Sequence, residues 1–177
     1  LKYTGAGTEA IFDDNSDTVV STIIGDQFIN EGTGNDSVFL AQDPDTRLTI
    51  NANLIEDTRN GFYGIQLIGG AQATIQCDVY NATFLTSDGP DSIMWITANK
   101  IRTNICPVEG TIYASMNTWE TPGIHGLQIN GGVANISVNN IIADNPGSTS
   151  GTGFFQLQGD ARGFVRCNSC VKNDGLL

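Results

Sequence analysis

The chain has 177 residues and a formal net charge of −11, from 8 basic and 19 acidic residues. That balance excludes binding of nucleic acid or an anionic membrane surface through clustered Lys and Arg, and it suits solubility, Ca²⁺ or neutral glycans. Hydrophobic residues make up 40%, as in a folded protein, but only 15% are charged. Gly, Asn, Thr, Ser and Gln take their place and favour strands and turns over helices.

No apolar run approaches the roughly 18 residues of a membrane span, so no membrane insertion is expected. The chain opens on Leu1-Lys2-Tyr3, with neither Met nor an apolar leader, and reads as a piece of a longer or a processed protein. Residues 1–33 form the first expected unit, an irregular opening or capping segment. Gly5-Ala-Gly7 and Asp13-Asp14-Asn15 mark loops there, and Ile23-Ile24 and Phe28-Ile29 supply apolar patches.

Residues 34–177 read as repeats. Three segments resemble one another: Gly64-Ile-Gln-Leu-Ile-Gly-Gly70, Gly126-Leu-Gln-Ile-Asn-Gly-Gly132 and Phe154-Phe-Gln-Leu-Gln-Gly-Asp160. Each is followed by a second alternating strand, at Ile75-Gln-Cys77, Ile136-Ser-Val138 and Val165-Arg-Cys167. Gln66 and Gln128 lie 62 apart and Gln128 and Gln156 lie 28 apart, which invites one further repeat halfway. Ile93-Met-Trp-Ile-Thr-Ala98 fits, with Trp95 at the Gln position, and upstream Val38-Phe-Leu-Ala41 fits with Phe39 there. Similar strands at unequal intervals of 27, 29, 33 and 28 are what loops inserted into a regular coil produce. The strands are too closely spaced for βαβ units, and no helical period is sustained.

The expected class is therefore all-β, a right-handed single-stranded parallel β-helix (solenoid) of about five to six coils, in which like residues stack on like. An antiparallel sandwich is the alternative. It would place Asn-Gly and Asp-Gly hairpins at consistent repeat positions, and Asn130-Gly131 and Asp88-Gly89 are not so placed.

Side chains alternate across a strand. The pairs Val38/Leu40, Ile65/Leu67, Met94/Ile96, Leu127/Ile129 and Phe155/Leu157 are apolar and read as the interior. The residues between them form an expected outward ladder: Phe39, Gln66, Trp95, Gln128 and Gln156. Aromatic faces stack on sugar rings and amides bond hydroxyls, so the ladder suits a glycan; equally, it suits a subunit interface. Trp119 falls in the longest inter-repeat insertion, Asn117–Pro122, and is expected in a loop that either carries function or plugs onto the coil.

Cys77, Cys106 and Cys167 take one repeat position and read as buried free thiols. Cys167-Asn-Ser-Cys170 is a single Cys-x-x-Cys, the role of those two thiols stays open, and the only His is His125; no metal site and no cofactor are expected. Glu56-Asp57, Asp43 with Asp45, and Asp88 with Asp91 are carboxylate pairs of the kind glycoside hydrolysis uses, and read here as solvated turn residues.

The Gly64 and Gly126 repeats, the degenerate copy at Phe154 and the Asn/Thr/Gly-rich composition resemble the β-helical regions of bacteriophage tail spikes and tail fibres, within the pectate-lyase-like superfamily. The resemblance covers about residues 34–171. It implies a homotrimeric virion structural protein in the tail, beside other tail proteins, that contributes to attachment to host-surface glycans. A polysaccharide lyase or glycoside hydrolase is the enzymatic alternative, and no residue pattern favours it. A passive cell-surface adhesin solenoid, extracellular or on the cell surface, is the other alternative.

Overall fold

The computed structural model describes residues 1–4, 12–14, 19–33, 37–59, 63–121, 126–143 and 155–172. These residues are all-β, in one sheet of fourteen strands. In chain order the strands are β1 (Lys2–Tyr3), β2 (Phe12–Asp14), β3 (Val20–Ile24), β4 (Gln27–Asn30), β5 (Phe39–Ala41), β6 (Arg47–Asp57) and β7 (Tyr63–Ile68). The second half holds β8 (Gln72–Asp88), β9 (Ile93–Val108), β10 (Thr111–Thr121), β11 (Leu127–Asn130), β12 (Val133–Ala143), β13 (Phe155–Gln158) and β14 (Arg162–Lys172).

Every pairing between these strands is parallel, which sets aside the antiparallel sandwich. The pairings fall into three columns. In the first, Val20, Arg47, Gln72, Ile93, Thr111, Val133 and Arg162 are successive register partners. In the second, Gln27, Leu54, Val79, Lys100, Thr118, Asn140 and Ser169 are partners in turn. In the third, Phe39, Ile65, Leu85, Ile105, Leu127 and Phe155 follow one another. The longer strands serve more than one column by bending at a corner. β3 and β4, within the expected irregular opening, pair in register with the two halves of β6.

Alternation decides what lies inside. In the first column Ile23, Ile50, Ile75, Ile96, Ala114, Ile136 and Val165 stack on one another, and Ile50 through Ile136 are buried. Like side chains at the strand spacing of about 4.8 Å lie in contact from one layer to the next, which suits close packing. The second column contributes Phe28, Ile55, Tyr80, Ile101, Trp119 and Ile141 to the same core, with Trp119 and Tyr80 the largest fully buried side chains.

The corner between the first two columns is a row of Asx residues: Asp26, Asn53, Asp78, Asn99, Asn117, Asn139 and Asn168, all exposed. Asn53 donates its amide to Asp26 at 2.6 Å, Asn139 to Asn117 at 2.9 Å and Asn168 to Asn139 at 3.0 Å. A short amide can accept from one layer and donate to the next, so it suits a stacked bend. The turn leaving the third column has its own row, Gly69, Gly89, Glu109, Gly131 and Gly159, all with positive φ. That left-handed step turns the N–H of each residue toward the following layer: Gly69 to Asp88, Gly89 to Val108, Glu109 to Asn130 and Gly131 to Gln158.

Candidate functional site

Of the five residues expected as one outward ladder, the structure keeps three together. Gln66, Gln128 and Gln156 share one row of the third column, but two layers, through Thr86 and Cys106, separate Gln66 from Gln128. Both intervening rounds are short and carry neither Gln nor Gly-Gly, so the spacing of 62 hid two repeats and not one. Trp95 belongs to the first column, between Thr74 and Tyr113. Phe39 pairs with Ile65, and Leu40 with Gln66. This one-residue slip turns Phe39 inward, to 1% exposure, against Phe28 at 5.2 Å between ring centroids.

Gln66 is committed to the protein itself. Gln66 donates to Asp88 at 3.2 Å and accepts from Ser37 at 3.4 Å. The Thr86 hydroxyl lies 2.7 Å from the same carboxylate and 2.8 Å from the Cys106 carbonyl, with one proton between them. Cys106 therefore lies in this outer row, half-buried, and not in the inner row expected for it. Cys77 and Cys167 do share an inner row, with Ala98, Met116 and Val138 between them. Cys77 is buried there, while Cys167 and Cys170 are exposed on the last layer. Burial pushes the Cys106 thiol up to about 12, with the Gln128 backbone hydrogen bond opposing and Asp88 adding to it. A thiol so held is a poor nucleophile at neutral pH.

Trp119 is no loop residue. It lies in β10, completely buried, and its indole N–H donates to the Thr103 carbonyl at 3.0 Å. The large side chain fills the core because its row, through Ile101 and Ile141, faces inward. Asp57 is not a solvated turn carboxylate either. It is buried and holds Arg59 through Nε at 2.8 Å and Nη2 at 2.5 Å. His125 lies outside the described residues. Among the described residues, no group of three or more His, Cys, Asp or Glu could hold a metal ion.

An outward groove of about 570 Å³ lies on the first column, across β9, β10, β12 and β14. Its floor row reads Trp95, Tyr113, Asn135 and Phe164, in register. The Trp95 and Tyr113 rings are parallel to within 7° with centroids 6.0 Å apart. Trp95, Tyr113 and Phe164 are 39%, 42% and 63% exposed. The next outward row supplies hydroxyls and a guanidinium: Thr97, Ser115, Ser137 and Arg166. No residue lining the groove is a carboxylate.

Sequence reasoning found Trp95 and missed Tyr113, Asn135, Phe164 and Arg166. The signal was present. Ile93-Met-Trp-Ile-Thr, Thr111-Ile-Tyr-Ala-Ser, Val133-Ala-Asn-Ile-Ser and Arg162-Gly-Phe-Val-Arg share one alternation, with a ring or amide at the third place. The chain matches no protein-family model, no curated protein and no solved structure.

Proposed function

We propose that this chain is a right-handed parallel β-helix module of a bacteriophage tail spike or tail fibre, and that its first-column groove contributes to attachment to host-surface glycans. The reading is supported chiefly by the exposed, parallel Trp95–Tyr113 pair with Phe164 in the same row. Aromatic side chains offer flat apolar surface to the C–H face of a sugar, and Asn135, Thr97, Ser115 and Ser137 offer hydrogen bonds to its hydroxyls. Asn135 separates Tyr113 from Phe164 by two strand spacings, about 9.6 Å, which leaves space for one ring above it. The four layers of the groove span about 14 Å, enough for a short oligosaccharide.

A glycoside hydrolase would need two carboxylates converging on the bound sugar, and a lyase would need carboxylates beside an Arg or Lys base. The groove lining offers none, so binding without turnover is the better reading of this face. A second reading, that the aromatic row packs against another subunit, draws on the same exposure. Light scattering on the purified chain, with a panel of host lipopolysaccharides and capsular polysaccharides on an array, separates the two. A trimer that binds the array, and loses binding in Trp95→Ala, supports the proposal. A trimer that binds nothing and dissociates in Trp95→Ala assigns the row to the interface. A monomer that binds no glycan defeats the proposal.

A further inference from the structure

Resting on that reading, we infer that the groove takes a sugar bearing a carboxylate, which Arg166 receives while the ring lies against the aromatic row. The first column presents 21 outward positions, in three rows of seven. None of them is Asp or Glu, and three are Arg: Arg47, Arg162 and Arg166. The chain as a whole carries 19 acidic and 8 basic residues, so this face departs from the rest of the surface in sign. The corner bordering the groove is also neutral, with Asn99, Asn117, Asn139 and Asn168 in its four layers.

The three arginines are not equivalent. Arg47 is tied down, donating to the carbonyls of Pro44 at 2.7 Å and Thr46 at 2.8 Å. Arg162 and Arg166 flank Phe164 on one outward edge of β14, and Arg166 lines the groove. Among the described residues, Arg166 forms no ion pair. A guanidinium offers a planar fork of donors that matches a carboxylate in two parallel hydrogen bonds. Elsewhere the protein's negative field repels an anionic glycan, so this face is where one can settle.

The test uses the full chain and three uronic or nonulosonic acids: the methyl glycosides of glucuronate, galacturonate and N-acetylneuraminate. Each is paired with its carboxylate methyl ester, which keeps the shape and removes the charge. Binding is followed by tryptophan fluorescence and saturation-transfer NMR. At least one acid should bind about tenfold or more tightly than its ester, a charge-assisted pair being the difference. Arg166→Gln should lower that acid to the level of the ester and leave the ester unchanged, and added salt should weaken the acid alone. If acid and ester bind equally and Arg166→Gln alters neither, the charge inference falls while glycan binding stands. If no acid and no ester binds, both fall. A urea midpoint for Arg166→Gln equal to that of the parent excludes unfolding as the cause.

Discussion

The hydroxyl of Tyr80 joins two columns through the core, accepting the Ile65 N–H at 3.1 Å and donating to the Phe84 carbonyl at 3.0 Å. It is fully buried, and burial raises its phenol above the ordinary value. Gly64 makes room for it: a Cβ there would collide with the Tyr80 hydroxyl and come within 2.6 Å of Ala82 Cβ. Tyr80→Phe leaves the Ile65 N–H buried and unpaired and should cost about 1–3 kcal/mol. Urea denaturation checks this; an unchanged midpoint would mean that water replaces the hydroxyl. Gly64→Ala should cost at least as much.

Glu109 is the one non-Gly residue with positive φ among the described residues, at 61°. Left-handed backbone costs a β-carbon residue about 1–2 kcal/mol, and Gly gives back about 0.5–1 in unfolded-state entropy. Glu109→Gly should therefore stabilise the protein by up to about 1.5 kcal/mol, read as a raised urea midpoint. The reverse change in the same row, Gly69→Ala, adds a Cβ 2.5 Å from the Gln42 carbonyl and should destabilise.

The two tryptophans should respond in opposite ways. Trp119→Ala empties a core site and should cost about 3–5 kcal/mol. Trp95→Ala removes an exposed ring and its stacking on Tyr113, and should cost only about 1 kcal/mol while abolishing glycan binding. Parallel denaturation and array binding of the two variants checks the pair. A loss of binding in Trp119→Ala at temperatures where it is folded would contradict the assignment.

The buried thiols make stability fall in alkali. Burial, with Asp78 adding to it, pushes Cys77 up to about 12, and burial pushes Cys106 to about 12 as well. An unfolded thiol titrates near about 8.5, so the unfolded chain loses these protons first as pH rises. The stability they contribute is complete below that value and is lost as pH rises through it toward about 12. The urea midpoint should drop across this window, and drop less in the Cys77→Ala/Cys106→Ala protein. At pH 8, a thiol-reactive dye should label the exposed Cys167 and Cys170 first.

What the sequence determined by itself was local. Alternation placed Ile65 and Leu67, Met94 and Ile96, and Leu127 and Ile129 inside, and their neighbours Gln66, Trp95 and Gln128 outside, because side-chain direction follows from the strand's period of two. It also carried the outward side of the three glutamines, although only the Gln128 and Gln156 segments stack directly on one another. Column membership was decided only by tertiary structure. Successive partners in the first column lie 27, 25, 21, 18, 22 and 29 residues apart, so no single repeat length assigns Trp95 to its column. The same uncertainty of register, by one residue, inverted Phe39. The Asx corner stood in the sequence throughout but becomes a row only once the rounds are aligned. The groove is the furthest from local reading: Trp95, Tyr113, Phe164 and Arg166 span 72 residues and meet only because four parallel strands come into register.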